Sequence, residues 1–197
     1  MNVRRIASAF ALALALCAAS AQADVTITID EVGPDVVASE SGTINLTGLT
    51  FFGSGTLITP VVEPSSAVVT MGLPNTGSDL YQGLTGPSSF GPGGPISASS
   101  GSGTPFGVQG DGGFLVVPSG YVSGHGLSST ATFDNTTISG LGLTPGTYTF
   151  DLPQDTITVQ ISPTTAVPEP STTLAVAVGM LAGLGVWARR RRATRPK

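Results

Sequence analysis

Between Arg5 and Arg189 the chain has no lysine and no arginine. All eight basic residues lie in the two terminal stretches, so the region from Asp24 to Ala166 sets eleven carboxylates against one histidine, His125. Its side-chain charge is close to −11, which the whole-chain value of −4 conceals. Nothing in this region can neutralise phosphate, which excludes nucleic acid as a partner. Lys and Arg salt bridges cannot form within it either. Cys17 is the only cysteine and Trp187 the only tryptophan, and both lie outside this region. It can form no disulfide, so its stability must come from a core. At 143 residues it is long enough for one core and short for two domains.

No stretch of this region shows a 3.6-residue period, and its Gly and Pro are too frequent for long helices. Period-two alternation is clear instead. Val25, Ile27 and Ile29 alternate with Thr26, Thr28 and Asp30; Tyr148, Phe150 and Leu152 with Thr147, Thr149 and Asp151; Ile157, Val159 and Ile161 with Thr156, Thr158 and Gln160. Such alternation places the apolar set on one sheet face and the Thr/Asp set in water. Further strands are expected at 43–52, 67–71, 114–117 and 128–133. Pro145-Gly146 marks a turn. Pro153-Gln154-Asp155 separates the last two strands by a loop short enough for a hairpin. The stretch 91–104, GPGGPISASSGSGT, reads as a long flexible loop near the middle of one all-β, antiparallel, sandwich-like domain over 24–166.

The ends carry addresses. Arg4 and Arg5, the apolar run from Ile6 to Ala19 and the Ala21-Gln22-Ala23 site read as a secretory signal peptide over 1–23, with a mature chain starting at Asp24. At the other end Val167-Pro168-Glu169-Pro170 precedes the uncharged stretch 171–188, which precedes Arg189, Arg190, Arg191 and Arg192. Eighteen helical residues span about 27 Å, near the thickness of a bilayer core. The arginines stay cytoplasmic, so this transmembrane helix leaves the body outside the inner membrane. Gly179 and Gly183 form a G-x-x-x-G pair, read as a Gly-rich membrane helix before a dimerisation face. Pro168 and Pro170 stop the helix and leave an accessible extended segment.

This tail over 167–197 resembles the PEP-CTERM sorting signal of exported Gram-negative proteins, whose tail also goes by the label of an ice-binding protein C-terminal domain. Thr172-Thr173 stand where the family often carries a Trp. The resemblance implies passage through the secretion translocon, transient anchoring in the inner membrane, processing by an exosortase, and release to the cell surface or an extracellular polysaccharide or biofilm matrix. A second resemblance covers Phe106 to Ile161. Gly120-Tyr121-Val122-Ser123-Gly124, the run Leu127 to Phe133 and Leu141 to Tyr148 are similar to a PEP-CTERM subgroup with an all-β body and no assigned activity. A Trp-Gly stretch common in that subgroup is replaced here by Phe150-Asp151-Leu152-Pro153.

Residues for chemistry are sparse. His125 lies between two glycines with Ser123 and Asp134 near it in sequence, but G-Y-V-S-G lacks the spacing of a nucleophile elbow. Zinc needs several His or Cys ligands. Asp151 and Asp155 flank one loop and could share a cation if the hairpin closes. No catalytic residue, metal or cofactor is assigned. The Thr-x-Thr pairs 26/28, 130/132, 147/149 and 156/158 would form a hydroxyl-methyl array if aligned on one face, but they have no regular spacing and read first as ordinary solvent-facing threonines. The expected function is a non-enzymatic surface or matrix protein; a carbohydrate- or ice-binding module is the alternative and a cryptic hydrolase the third reading. Because carboxylate repulsion opposes compaction and salt screens it, the melting temperature of the protein should rise between low and moderate salt; thermal scans across a NaCl series check this.

Overall fold

Alternating β-branched residues form paired strands wherever one side chain in two can be buried, and among the described residues, 24–57 and 59–163 of a computed structural model, the segments 24–32 and 156–161 do this most clearly. The strands are β1 (Asp24–Val32), β2 (Asp35–Thr43), β3 (Thr50–Leu57), β4 (Val61–Glu63), β5 (Val68–Met71), β6 (Thr76–Gln82), β7 (Ile96–Ser97), β8 (Ser100–Gly103), β9 (Phe106–Gln109), β10 (Phe114–Pro118), β11 (Gly126–Phe133), β12 (Gly146–Asp151) and β13 (Thr156–Ile161). A single 3₁₀ turn spans Pro64–Ser66. One sheet has six strands in the order β12-β13-β1-β2-β11-β8 and the other seven in the order β3-β6-β10-β9-β5-β4-β7. Both sheets contribute to one core, which makes a sandwich rather than a closed barrel. Val25, Ile27, Ile29, Ile157 and Val159 enter it from the first sheet and Met71, Phe106, Val108, Leu115 and Val117 from the second. Phe90 closes one end, edge-on to Tyr148 and Phe150 with ring centroids 5.0 and 5.8 Å away.

Three expectations need correction, and one strand was not expected. The fold is not wholly antiparallel, because β13 pairs parallel with β1; the β12–β13 hairpin is antiparallel and inserts beside the first strand. The stretch 91–104 is not a structureless loop, since it contains β7 and β8, and β8 pairs with β11. Glycine makes that pairing possible: Gly103 has φ +83°, and a Cβ there would collide with the Ser128 carbonyl oxygen. The expected strand 43–52 is a strand end, a turn and a strand start, reversed at Gly48 with φ +91°. Strand β2 went unrecognised. It closes on β1 through a two-residue Gly33-Pro34 loop, with Val32 opposite Asp35. Its inward positions are Val36, Ala38 and Glu40, and the carboxylate breaks the apolar pattern.

With no Lys or Arg to meet them, the carboxylates accept from N–H and O–H groups and tie distant segments together. Glu31 accepts the Ile138 N–H at 2.8 Å and Asp35 the Asn135 N–H at 2.8 Å. Asp24 accepts the Thr156 hydroxyl at 2.9 Å, and Asp30 accepts that of Ser162. Asp155 accepts the Asn45 N–H. Asp79 accepts the Gly120 N–H at 2.8 Å and the Ser54 and Ser119 hydroxyls at 2.7 and 3.3 Å. The Gly120 N–H and the Ser54 hydroxyl hold the Asp79 carboxyl below its ordinary range despite partial burial.

Glu40 is the opposite case. It is 4 % exposed, opposite Ile27 on one side and Ser129 on the other. Oε2 accepts the Ser129 hydroxyl at 2.7 Å, and Oε1 has no hydrogen-bond partner among the described residues. Burial pushes its carboxyl up from 4.5 to about 7, against the lowering effect of Ser129. Between those values the folded protein holds a proton that the unfolded chain has released, so this group's contribution falls as pH rises through that window, by about 3 kcal/mol in all. Asp79 acts with the opposite sign: its stabilisation is lost as pH falls through its depressed folded value. Stability should therefore peak in mild acid and decline toward neutrality. Glu40→Gln should flatten that decline, which denaturant titrations from pH 4 to 8 would measure.

Candidate functional site

The register that buries the apolar residues of the six-stranded sheet sends its hydroxyls to the opposite face. Reading across the strands, one row runs Thr149, Thr158, Thr26, Ser41, Ser128. The next runs Thr147, Gln160, Thr28, Ser39, Thr130, Ser102. A third runs Val37, Thr132, Ser100. Thr28 and Ser39 share a hydrogen bond at 2.8 Å between hydroxyls, and so do Ser102 and Thr130 at 2.8 Å. Neighbouring strands set these groups about 4.8 Å apart across the sheet, and alternate residues set them about 6.8 Å apart along it.

The chemistry of this face is narrow. The first two rows carry no charge and no aromatic ring; Asp24, Asp30 and Asp151 lie beyond them toward the strand ends. Hydroxyls both donate and accept, so the face can hydrogen-bond other hydroxyls or water without a preferred polarity. The threonine methyls add an apolar component. The four Thr-x-Thr pairs do come together here, although no spacing in the sequence relates them. The serines of β2, β8 and β11 complete the rows, and sequence reasoning missed them. Their only signal was the alternation Ser128, Thr130, Thr132 against Leu127, Ala131, Phe133.

The other candidates remain apart. His125 is exposed in a turn, its N–H bonded to the Val122 carbonyl at 3.1 Å. Its carbonyl accepts the Tyr121 hydroxyl at 2.6 Å, and the Tyr121 hydroxyl in turn accepts the Ile44 N–H at 3.1 Å. Burial raises the Tyr121 phenol, against the lowering effect of its backbone hydrogen bond to Ile44, with Glu40 and Asp155 adding to the rise. Ser123 accepts the Leu46 N–H at 2.9 Å. These contacts clasp the 44–46 segment, and among the described residues no hydrogen bond joins the His125 ring to Ser123 or Asp134. Asp155 is buried against Asn45 while Asp151 is exposed. No group of three or more His, Cys, Asp or Glu suited to a metal ion occurs among the described residues. None of the described helices is long and apolar enough to cross a membrane. The expected signal peptide with Ala21 and Ala23, the membrane segment 171–188, the motif Val167-Pro168-Glu169-Pro170 and Arg189–Arg192 lie outside the described residues; Asp24 begins β1.

Comparison with curated proteins and with solved structures finds no match to this chain. One family model does match, over residues 166–192, a span that contains Val167-Pro168-Glu169-Pro170 and ends at Arg192. The chain is thereby a carrier of the PEP-CTERM protein-sorting motif, the signal that directs exported proteins to an exosortase and to the surface.

Proposed function

We propose that the body is a non-enzymatic surface module that holds a neutral, hydroxyl-rich matrix polysaccharide on the outer face of its six-stranded sheet, after passage through the translocon and transient anchoring in the inner membrane. The observation that carries this reading is the pair of adjoining uncharged hydroxyl rows, from Thr149 to Ser128 and from Thr147 to Ser102. A body with no Lys or Arg cannot recruit an anionic polymer by ion pairing, which favours a neutral one. The sorting motif supplies the setting, because it sends the protein to the surface where such polymers lie. Hydroxyl arrays also bind ice, but six strands at an average twist of roughly 20–25° per step present a coiled surface, better suited to a flexible chain than to a crystal plane.

The test is affinity electrophoresis of the protein through gels containing neutral polysaccharides. Replacing Thr28 and Thr130 together by Val keeps the β-branched shape and removes two hydroxyls from the central row. Binding should weaken about tenfold, with the melting temperature nearly unchanged. Retardation equal in both proteins, or absent in both, would refute the polymer reading. Thermal hysteresis lost in the same variant would establish ice instead.

A further inference from the structure

The second sheet ends in an edge unlike the others. Strand β7 has two residues and β8 four. Strand β12 ends in Asp151, which is bridged by Thr85. Strand β3 is eight residues long, reads TFFGSGTL, and carries no charge and no proline. As the last strand of its sheet, it has no strand partner on one side among the described residues. An edge that is long and free of charge and proline is a template for another strand.

Its side chains specify which strand. A bulge between Phe51 and Gly53 turns Phe52 onto the outer face, 63 % exposed and edge-on to Phe114 at 5.1 Å. Beside it lies a hollow of about 290 Å³ lined by Gly53, Gly55, Thr56, Ser78 and Leu80 as well as Phe52. A Cβ at Gly53 or Gly55 would meet nothing within 4 Å, so space remains above both. An aromatic knob and a glycine hollow thus sit three residues apart on one edge. That is the self-complementarity a two-fold interface requires.

We propose that a second copy of this chain pairs antiparallel along β3, with Phe52 of each copy seated in the glycine hollow of the other. Aromatic rings covering strand glycines stabilise such pairs. The strand carries no carboxylate of its own, so pairing along it sets no like charges directly opposite one another. Asp79, opposite Ser54 on β6, is turned to the Ser54 and Ser119 hydroxyls and the Gly120 N–H. This pairing uses the other sheet and is independent of polymer binding.

Sedimentation velocity of the full chain in detergent micelles tests it. Wild type should sediment as a dimer at micromolar concentration. Gly55→Lys fills the hollow and adds a charge at a position where a side chain meets nothing, and it should be monomeric with an unchanged thermal transition. Phe52→Ser removes the knob and should weaken the dimer by at least about tenfold. A monomeric wild type overturns the proposal, and so does association that persists undiminished in both variants, as pairing through another part of the chain would.

Discussion

Eleven carboxylates without a Lys or Arg among them are the constraint to which the rest of the structure answers. Where one is buried or half-buried, it must either lose its charge or find neutral donors. The protein does both. Asp24, Asp30, Glu31, Asp35, Asp79 and Asp155 recruit backbone N–H groups and hydroxyls from far along the chain. These hydrogen bonds hold the ends of strands to loops where a disulfide or an ion pair would otherwise serve. Glu40 takes the other course and stays protonated into the neutral range, with one oxygen unpartnered inside the sandwich.

The two faces of the six-stranded sheet follow from one register. Pairing Ile27 with Val159 and Glu40 places Thr26 beside Thr158 and Ser41, and Thr28 beside Gln160 and Ser39. A slip of one residue between strands would carry the apolar set into water and the hydroxyls into the core. The hydrophobic effect that selects the register therefore also assembles the hydroxyl rows, at no separate energetic cost. Their chemistry is nearly uniform because the residues between the buried ones are uncharged in the first two rows and, Gln160 apart, carry hydroxyls.

The strands with the cleanest alternation, β1, β12 and β13, were legible, and so was the hairpin that joins the last two. Strand β2 was hidden because Glu40 occupies a core position, where a carboxylate argues against burial until Ser129 is seen beside it. Strand β8 was hidden because Ser-Gly-Ser-Gly has almost no propensity, and its order comes from tertiary partners, chiefly β11. The hydroxyl face was half legible. Each Thr-x-Thr pair was visible, but their alignment depends on partners up to 132 residues apart, such as Thr26 and Thr158. The aromatic edge was missed altogether, since Phe52 and Phe114 meet only across β6.

Composition and contiguous motifs were enough for an anionic all-β body without disulfides and for a sorting motif whose parts follow one another along the chain. Such features need no tertiary partner, because charge, periodicity and contiguous motifs are local. What the tertiary structure alone decided is which strands are neighbours. That choice put β13 parallel to β1, drew serines from the low-complexity stretch into the hydroxyl rows, and left β3 uncovered at an edge. Strand order is set by how two sheets share one core, and that is a property of all the pairings at once.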